Sequence, residues 1–134
     1  MPYWGMTTGS LTDYLSAKGY ETYAASVGPL SSAWDRACEL YAQLAGTRTD
    51  YGVKHAQDFG HERYAIDVLS SRLFDGWGTK RAVNLVGHSF GGATIRLFLD
   101  ILADGSAQEQ AAAKADGTEV SPFSRAARPT GSIR

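Results

Sequence analysis

The chain of 134 residues has little cysteine, no long apolar run and no excess of charge. Its single cysteine, Cys38, cannot form a disulfide within the chain. Nowhere do eighteen apolar residues follow one another, so the sequence predicts no transmembrane helix. Thirteen basic and fourteen acidic residues give a net charge of −1, and no basic cluster predicts binding to nucleic acid. These absences exclude a disulfide scaffold and leave no basic surface for nucleic acid.

Residues 1–5 also lack the features of a signal peptide, namely a positive segment followed by an apolar one. The sequence therefore predicts either an intracellular protein or a chain whose beginning is missing. Forty-three per cent of the residues are hydrophobic, which is enough to build a core.

Apolar residues at helical spacing predict three helices. They extend from Ser10 to Gly19, from Ser31 or Ser32 to Gly46, and from Ala93 to Leu102. Short apolar runs at 21–27 and 82–86 predict two strands, the second of them buried. This pattern favours the α/β class.

Two segments are less regular. Residues 47–78 carry four glycines, two histidines and many aromatics, and they predict a long functional insertion in a domain of residues 1–105. Residues 106–134 are polar and predict a poorly ordered tail, with a solvated helix as the alternative for 106–118.

Residues 87–91, Gly-His-Ser-Phe-Gly, match the pattern G-x-S-x-G of serine hydrolases. The match follows a predicted strand and opens a predicted helix, as a nucleophile elbow requires, and its sharp turn needs glycine on both sides of the serine. Ser89 is therefore the candidate nucleophile, and the backbone N–H of Phe90 is the candidate oxyanion donor. The alternative is a glycine-rich turn with an incidental serine.

A nucleophilic serine needs a base, and that base needs a carboxylate to orient it. In hydrolases with this elbow the chain order is Ser, then Asp or Glu, then His. The three histidines, His55, His61 and His88, all precede Ser89. The sequence thus predicts a fragment that lacks the triad Asp and His. A non-catalytic truncated product or interaction module is the alternative.

Asp35, His55 and His61 offer one carboxylate and two imidazoles, a donor set that suits zinc. Their spacing is not a recognised short signature, so the pattern alone is weak. Asp35 also completes a capping box with Ser32, and the two histidines could be packing or surface residues. Both interpretations stay open on spacing alone.

Many segments in order resemble the zinc-containing thermoalkalophilic bacterial lipases, and the related staphylococcal lipases share much of the pattern. The resemblance runs from about residue 3 to residue 102. It is carried by Tyr3-Trp4-Gly5, Gly19-Tyr20, Thr22-Tyr23, Val27-Gly28-Pro29-Leu30-Ser31-Ser32, Trp34-Asp35-Arg36-Ala37, Asp50-Tyr51-Gly52, Gly60-His61, Gly87-His88-Ser89 and Gly91-Gly92.

The resemblance implies a partial α/β-hydrolase fold, truncated at both ends, from a secreted triacylglycerol lipase that works through an acyl-enzyme. Its substrates would be lipids or other esters. It also implies that Asp35, His55 and His61 bind a structural zinc ion, with a fourth ligand, an Asp, absent from this chain. The family's calcium ligands have no counterpart here either.

Overall fold

The computed structural model describes residues 4–5, 7–66, 72–78 and 80–125. In this part of the chain lie five α-helices and one short 3-10 helix: α1 (Leu11–Ala17), α2 (Ala33–Ala45), α3 (Val53–Phe59), α4 (Phe90–Asp104), α5 (Ala107–Asp116) and η1 (Pro122–Ser124). None of these helices is long and apolar enough to span a bilayer. Part of the predicted insertion (67–71) and part of the predicted tail (126–134) lie outside the described residues, as does residue 79 just after the insertion.

Helix α2 begins and ends where its sequence predicts. The Ser32 hydroxyl accepts a hydrogen bond from the N–H of Asp35 at 3.1 Å, and the Asp35 carboxylate accepts one from the N–H of Ser32 at 3.2 Å. This reciprocal capping box satisfies two of the free N–H groups of the first turn. At the other end, Gly46 adopts a φ of 69°, a left-handed conformation that suits glycine. The capping box fixes the carboxylate of Asp35.

The core lies where α2 packs against α4, with η1 closing one side. Phe98 of α4 is fully buried and stacks on Phe123 of η1, with ring centroids 5.3 Å apart. Ala37 and Leu44 of α2 complete the contact. Burial of a phenylalanine side chain stabilises a fold by about 1.5–3 kcal/mol, so Phe98 anchors α4 and therefore the turn that precedes it.

The prediction of an α/β class, with a partial α/β-hydrolase fold, is wrong for this chain. Residues 4–5, 7–66, 72–78 and 80–125 form helices and isolated bridges, such as Asp50–Tyr64 and Trp77–Arg81, but no β-strand. A strand exists only when a second extended segment offers its backbone at hydrogen-bonding distance. The apolar patterns of 21–27 and 82–86 lack that partner in the described residues.

In the segment 21–27, the backbone of Ser26 makes its hydrogen bonds with a side chain of α2 and not with a neighbouring strand. The amide of Gln43, on α2, accepts from the N–H of Ser26 at 2.9 Å and donates to the carbonyl of Ser26 at 2.7 Å. Residues 82–86 also differ from the prediction, because they are not buried: Val86 is 78% exposed. Instead of pairing in a sheet, each segment packs one partly buried residue against the helical core, Val27 from the first and Leu85 from the second.

Candidate nucleophile turn and metal centre

Ser89 stands immediately before α4 in a strained backbone conformation, with φ 55° and ψ −124°. It is the only non-glycine residue with a positive φ in the described part of the chain. Such a conformation costs about 1–3 kcal/mol and persists only where the surroundings enforce it. Serine is also a favoured N-cap residue, yet this hydroxyl makes no capping hydrogen bond to α4. Its oxygen therefore remains available for chemistry.

The turn around Ser89 is held by two backbone hydrogen bonds and by the close packing of Gly87 against Gly91 and Ile95. The N–H of Gly91 donates to the carbonyl of His88 at 2.9 Å, and the N–H of Gly92 donates to that of Ser89 at 3.0 Å. A Cβ at Gly87 would lie 2.6 Å from the backbone of Gly91 and 2.7 Å from Ile95. Any larger residue at position 87 would open the turn, which explains the first glycine of the motif.

Phe90 follows Ser89 as the first residue of α4, so its N–H is one of the helix donors without an intrahelical acceptor. The guanidinium of Arg36 lies over its ring, 4.5 Å from the centroid. Arg36 is held in turn by the carbonyls of Ser31 at 3.1 Å and Pro29 at 2.5 Å. The ring of Phe90 is thereby clamped to the N-terminal end of α2.

The three candidate metal ligands lie together. Asp35 Oδ1 is 2.8 Å from Nε2 of His55 and 4.0 Å from Nε2 of His61, and one ligand atom from each residue lies within 4.8 Å of the others. Asp35 comes from the first turn of α2, His55 from α3, and His61 from just beyond the end of α3. Folding thus brings Asp35 next to two histidines that lie 20 or more positions later in the sequence.

Neighbouring groups orient two of these ligands. The second oxygen of Asp35, Oδ2, accepts from the N–H of Ser32 at 3.2 Å and from its hydroxyl at 2.8 Å, which leaves Oδ1 facing the histidines. Nδ1 of His61 lies 2.8 Å from the carbonyl of Glu62. Because a carbonyl can only accept, Nδ1 carries the proton and Nε2 of the neutral ring keeps a free electron pair. Metal-binding histidines commonly have this arrangement.

His55 forms the buried side of the cluster, and His61 forms the open side. The ring of His55 stacks on Trp34 at 5.5 Å and contacts Phe59 at 4.6 Å, and its side chain is 11% exposed, against 36% for His61. The indole of Trp34 is fixed by a 2.8 Å hydrogen bond to the carbonyl of Tyr51. One carboxylate and two imidazoles fit the ligand types of zinc, and a fourth ligand could approach from the side of His61.

The histidines do not assemble into a triad with Ser89 in the described residues. His55 and His61 meet at Asp35, and the ring of His88 lies edge-on to Trp4 at 6.4 Å. Two side chains outside the sequence-predicted site touch it, Arg36 against Phe90 and Glu109 against α3. The local pattern Ser106-x-x-Glu109 is typical of a capping box on α5. Sequence spacing therefore gives no sign that the Glu109 side chain contacts α3.

This chain belongs to the family described as "Lipase-like, C-terminal domain", whose model matches residues 1–130. It is 42% identical over 121 residues to Lipase 2 of Staphylococcus aureus, and 40% identical over 121 residues to Lipase 1 of the same species. Each match covers 90% of this chain but only 17% and 18% of the relatives. The chain thus spans less than a fifth of the length of these curated relatives.

Solved structures, including that of a lipase, also resemble this chain. The chain is similar to Staphylococcus hyicus lipase with a TM-score of 0.90 and 38% identity, over 98% of this chain and 33% of that one. It is also similar to EstA from Clostridium botulinum, with a TM-score of 0.82, 39% identity, and 95% and 28% of the two chains covered. The resemblance to staphylococcal lipases is confirmed, and this chain corresponds to about a third of a lipase structure.

Proposed function

We propose that this chain is the part of a secreted, lipase-type carboxylic ester hydrolase that carries the nucleophile, Ser89. The observation that carries the proposal is the strained backbone of Ser89, at φ 55° and ψ −124°, in the turn that opens α4. A serine held this way presents its hydroxyl instead of capping the helix. Membership of a lipase family supports the same chemistry, with lipids such as triacylglycerols as the substrate class.

In the proposed reaction, Ser89 Oγ attacks the carbonyl carbon of the ester and gives up its proton to a base. The negative oxygen of the tetrahedral intermediate accepts a hydrogen bond from the N–H of Phe90 and lies near the positive end of α4. Collapse expels the alcohol and leaves an acyl-enzyme, which water then hydrolyses to free the fatty acid. The base and its carboxylate come from lipase segments beyond this chain, because His55 and His61 meet at Asp35.

We also propose that Asp35, His55 and His61 bind zinc. The ion would cross-link α2 to α3 and its following turn, since the ligands come from those elements. Its role is structural, because Ser89 already provides the nucleophile. The remaining ligand is a water or a residue elsewhere in the lipase. No residue of this chain is assigned to calcium.

The nucleophile can be tested in a chimera in which this chain replaces the matching third of Staphylococcus hyicus lipase. Hydrolysis of a chromogenic fatty-acid ester is expected, with a loss of about a thousandfold or more in Ser89→Ala. Ser16→Ala, which removes an exposed hydroxyl of α1, is the matched control and should keep its activity. Equal rates for Ser89→Ala and the control would refute the assignment.

The metal site can be tested on the chain itself by titrating it with zinc in a calorimeter. We expect a heat of binding that His61→Ala loses and that His88→Ala, a histidine outside the cluster, retains. Equal heats from all three proteins would exclude these ligands.

A further inference from the structure

We propose that Glu109 is a positioning residue of the metal centre, a buried carboxylate that holds the start of α3 and so places His55 beside Asp35. This inference depends on the metal site proposed above. Glu109 lies in α5, 54 positions after His55, and contacts α3 across the fold.

The carboxylate of Glu109 supplies the cap that α3 lacks. The N-cap position before α3 is occupied by Gly52, which has no side chain to cap the helix. Instead, Glu109 Oε2 accepts from the N–H of Lys54 at 2.9 Å, and Oε1 accepts from the N–H of His55 itself at 2.7 Å. Charge-assisted hydrogen bonds of this kind are roughly twice as strong as neutral ones, and a helix N-terminus favours negative charge. The backbone of a metal ligand is therefore bound directly to Glu109.

The surrounding residues are arranged to admit this carboxylate. Gly52 has φ 91°, and a Cβ there would lie 2.4 Å from the carboxylate carbon of Glu109. Within α5, the Ser106 hydroxyl accepts from the N–H of Glu109 at 3.3 Å, as in a capping box. The N–H of Ser106, however, donates to the carbonyl of Ser124 at 2.9 Å, so Glu109 is free to reach α3.

Glu109 is 3% exposed, and the ion pairs of the described residues do not include it. The neighbouring Lys54 ammonium pairs with Asp58 instead. Burying a carboxylate without a cation destabilises the fold unless hydrogen bonds compensate for the lost solvation. Two backbone N–H groups of α3 provide that compensation, so displacing the carboxylate would release the helix segment that carries His55.

If Glu109 positions His55, its substitution should change how the site coordinates a metal ion. If Glu109 only stabilises the fold, folded variants should coordinate the metal as the wild type does. The probe is cobalt(II) chloride, because the visible absorption of bound cobalt reports the geometry of its ligands. Groups that orient metal ligands typically change metal affinity about 10–100-fold when removed. We expect Glu109→Ala to weaken cobalt binding by about that factor and to alter the spectrum, and Glu109→Gln to have a smaller effect of the same sign.

Glu119→Gln is the matched control, since Glu119 is an exposed carboxylate whose side chain bonds Arg125 at the surface. It should bind cobalt as the wild type does. If Glu109→Ala does not fold, as judged by circular dichroism, Glu109→Gln decides alone, because it keeps the shape and one acceptor. A folded Glu109 variant with wild-type affinity and spectrum would overturn the proposal.

His55→Ala separates this inference from the metal site itself. Absence of cobalt binding by the wild type, or equal binding by His55→Ala, would refute the metal site and with it the role of Glu109. Binding that His55→Ala loses, while folded Glu109 variants retain it unchanged, would refute the role of Glu109 alone.

Discussion

Replacing Ser89 by glycine should stabilise the chain, while replacing it by alanine should not. The backbone of Ser89 has φ 55° and ψ −124°. Glycine adopts this conformation without steric cost, whereas a residue with a Cβ is strained in it. The strain relieved is about 1–3 kcal/mol. Glycine also lowers the free energy of unfolding by about 0.5–1 kcal/mol relative to alanine, because it has more conformational freedom in the unfolded chain. The net gain in the free energy of unfolding for Ser89→Gly therefore lies between about 0 and 2.5 kcal/mol and is centred near about 1 kcal/mol.

Ser89→Ala is the matched comparison, because it also removes the hydroxyl but keeps the Cβ and its strain. Since Ser89 is exposed, this substitution should change the free energy of unfolding by less than about 0.5 kcal/mol. With urea slopes of about 1–3 kcal/mol/M, a gain near about 1 kcal/mol should place the glycine midpoint about 0.3–1 M above the alanine midpoint, as measured by urea unfolding followed by far-ultraviolet circular dichroism. A glycine midpoint equal to or below that of alanine would refute the idea that the turn stores strain at Ser89.

Further predictions concern the core, the cap and the thiol. Phe98→Ala should lower the free energy of unfolding by about 3–5 kcal/mol, measured by urea unfolding, because its ring is fully buried; no change would contradict the described core. Ser32→Ala should lower it by about 1 kcal/mol through loss of the α2 cap and should also weaken zinc binding in calorimetry, because Ser32 holds Oδ2 of Asp35. Gly52→Ala should weaken zinc binding, since a Cβ at that position meets a carboxylate 2.4 Å away; unchanged heats would contradict this. Cys38 should react with a thiol reagent only on unfolding, because it is 2% exposed and burial raises the pKa of its thiol well above the ordinary value; rapid labelling of the folded chain would contradict this.

Local signals predicted helices α1, α2 and α4, although α4 begins at Phe90, before the predicted start at Ala93. The ends of α2 follow from Ser32 and Gly46, whose effects act within one turn of the chain. The two roles considered for Asp35 also proved compatible. One of its oxygens completes the capping box, and the other faces His55. A single residue could serve both because a carboxylate has two acceptor oxygens.

Features that depend on distant partners were not predicted. The apolar pattern at 82–86 is that of a strand, but strand formation is decided by a neighbouring segment that the described residues lack. The contact of Glu109 with His55 was missed for the same reason, since a buried glutamate in a polar segment looks like a solvated one. Sequence spacing shows local geometry and leaves long-range contacts undetermined.

The most direct test of Ser89 as nucleophile is covalent labelling of the lipase chimera with a fluorophosphonate, followed by mass spectrometry to locate the modified residue. A single label on the peptide that contains Ser89, lost in Ser89→Ala, is the predicted result. A chimera that hydrolyses esters but carries its label on another residue would contradict the assignment of Ser89 as the nucleophile.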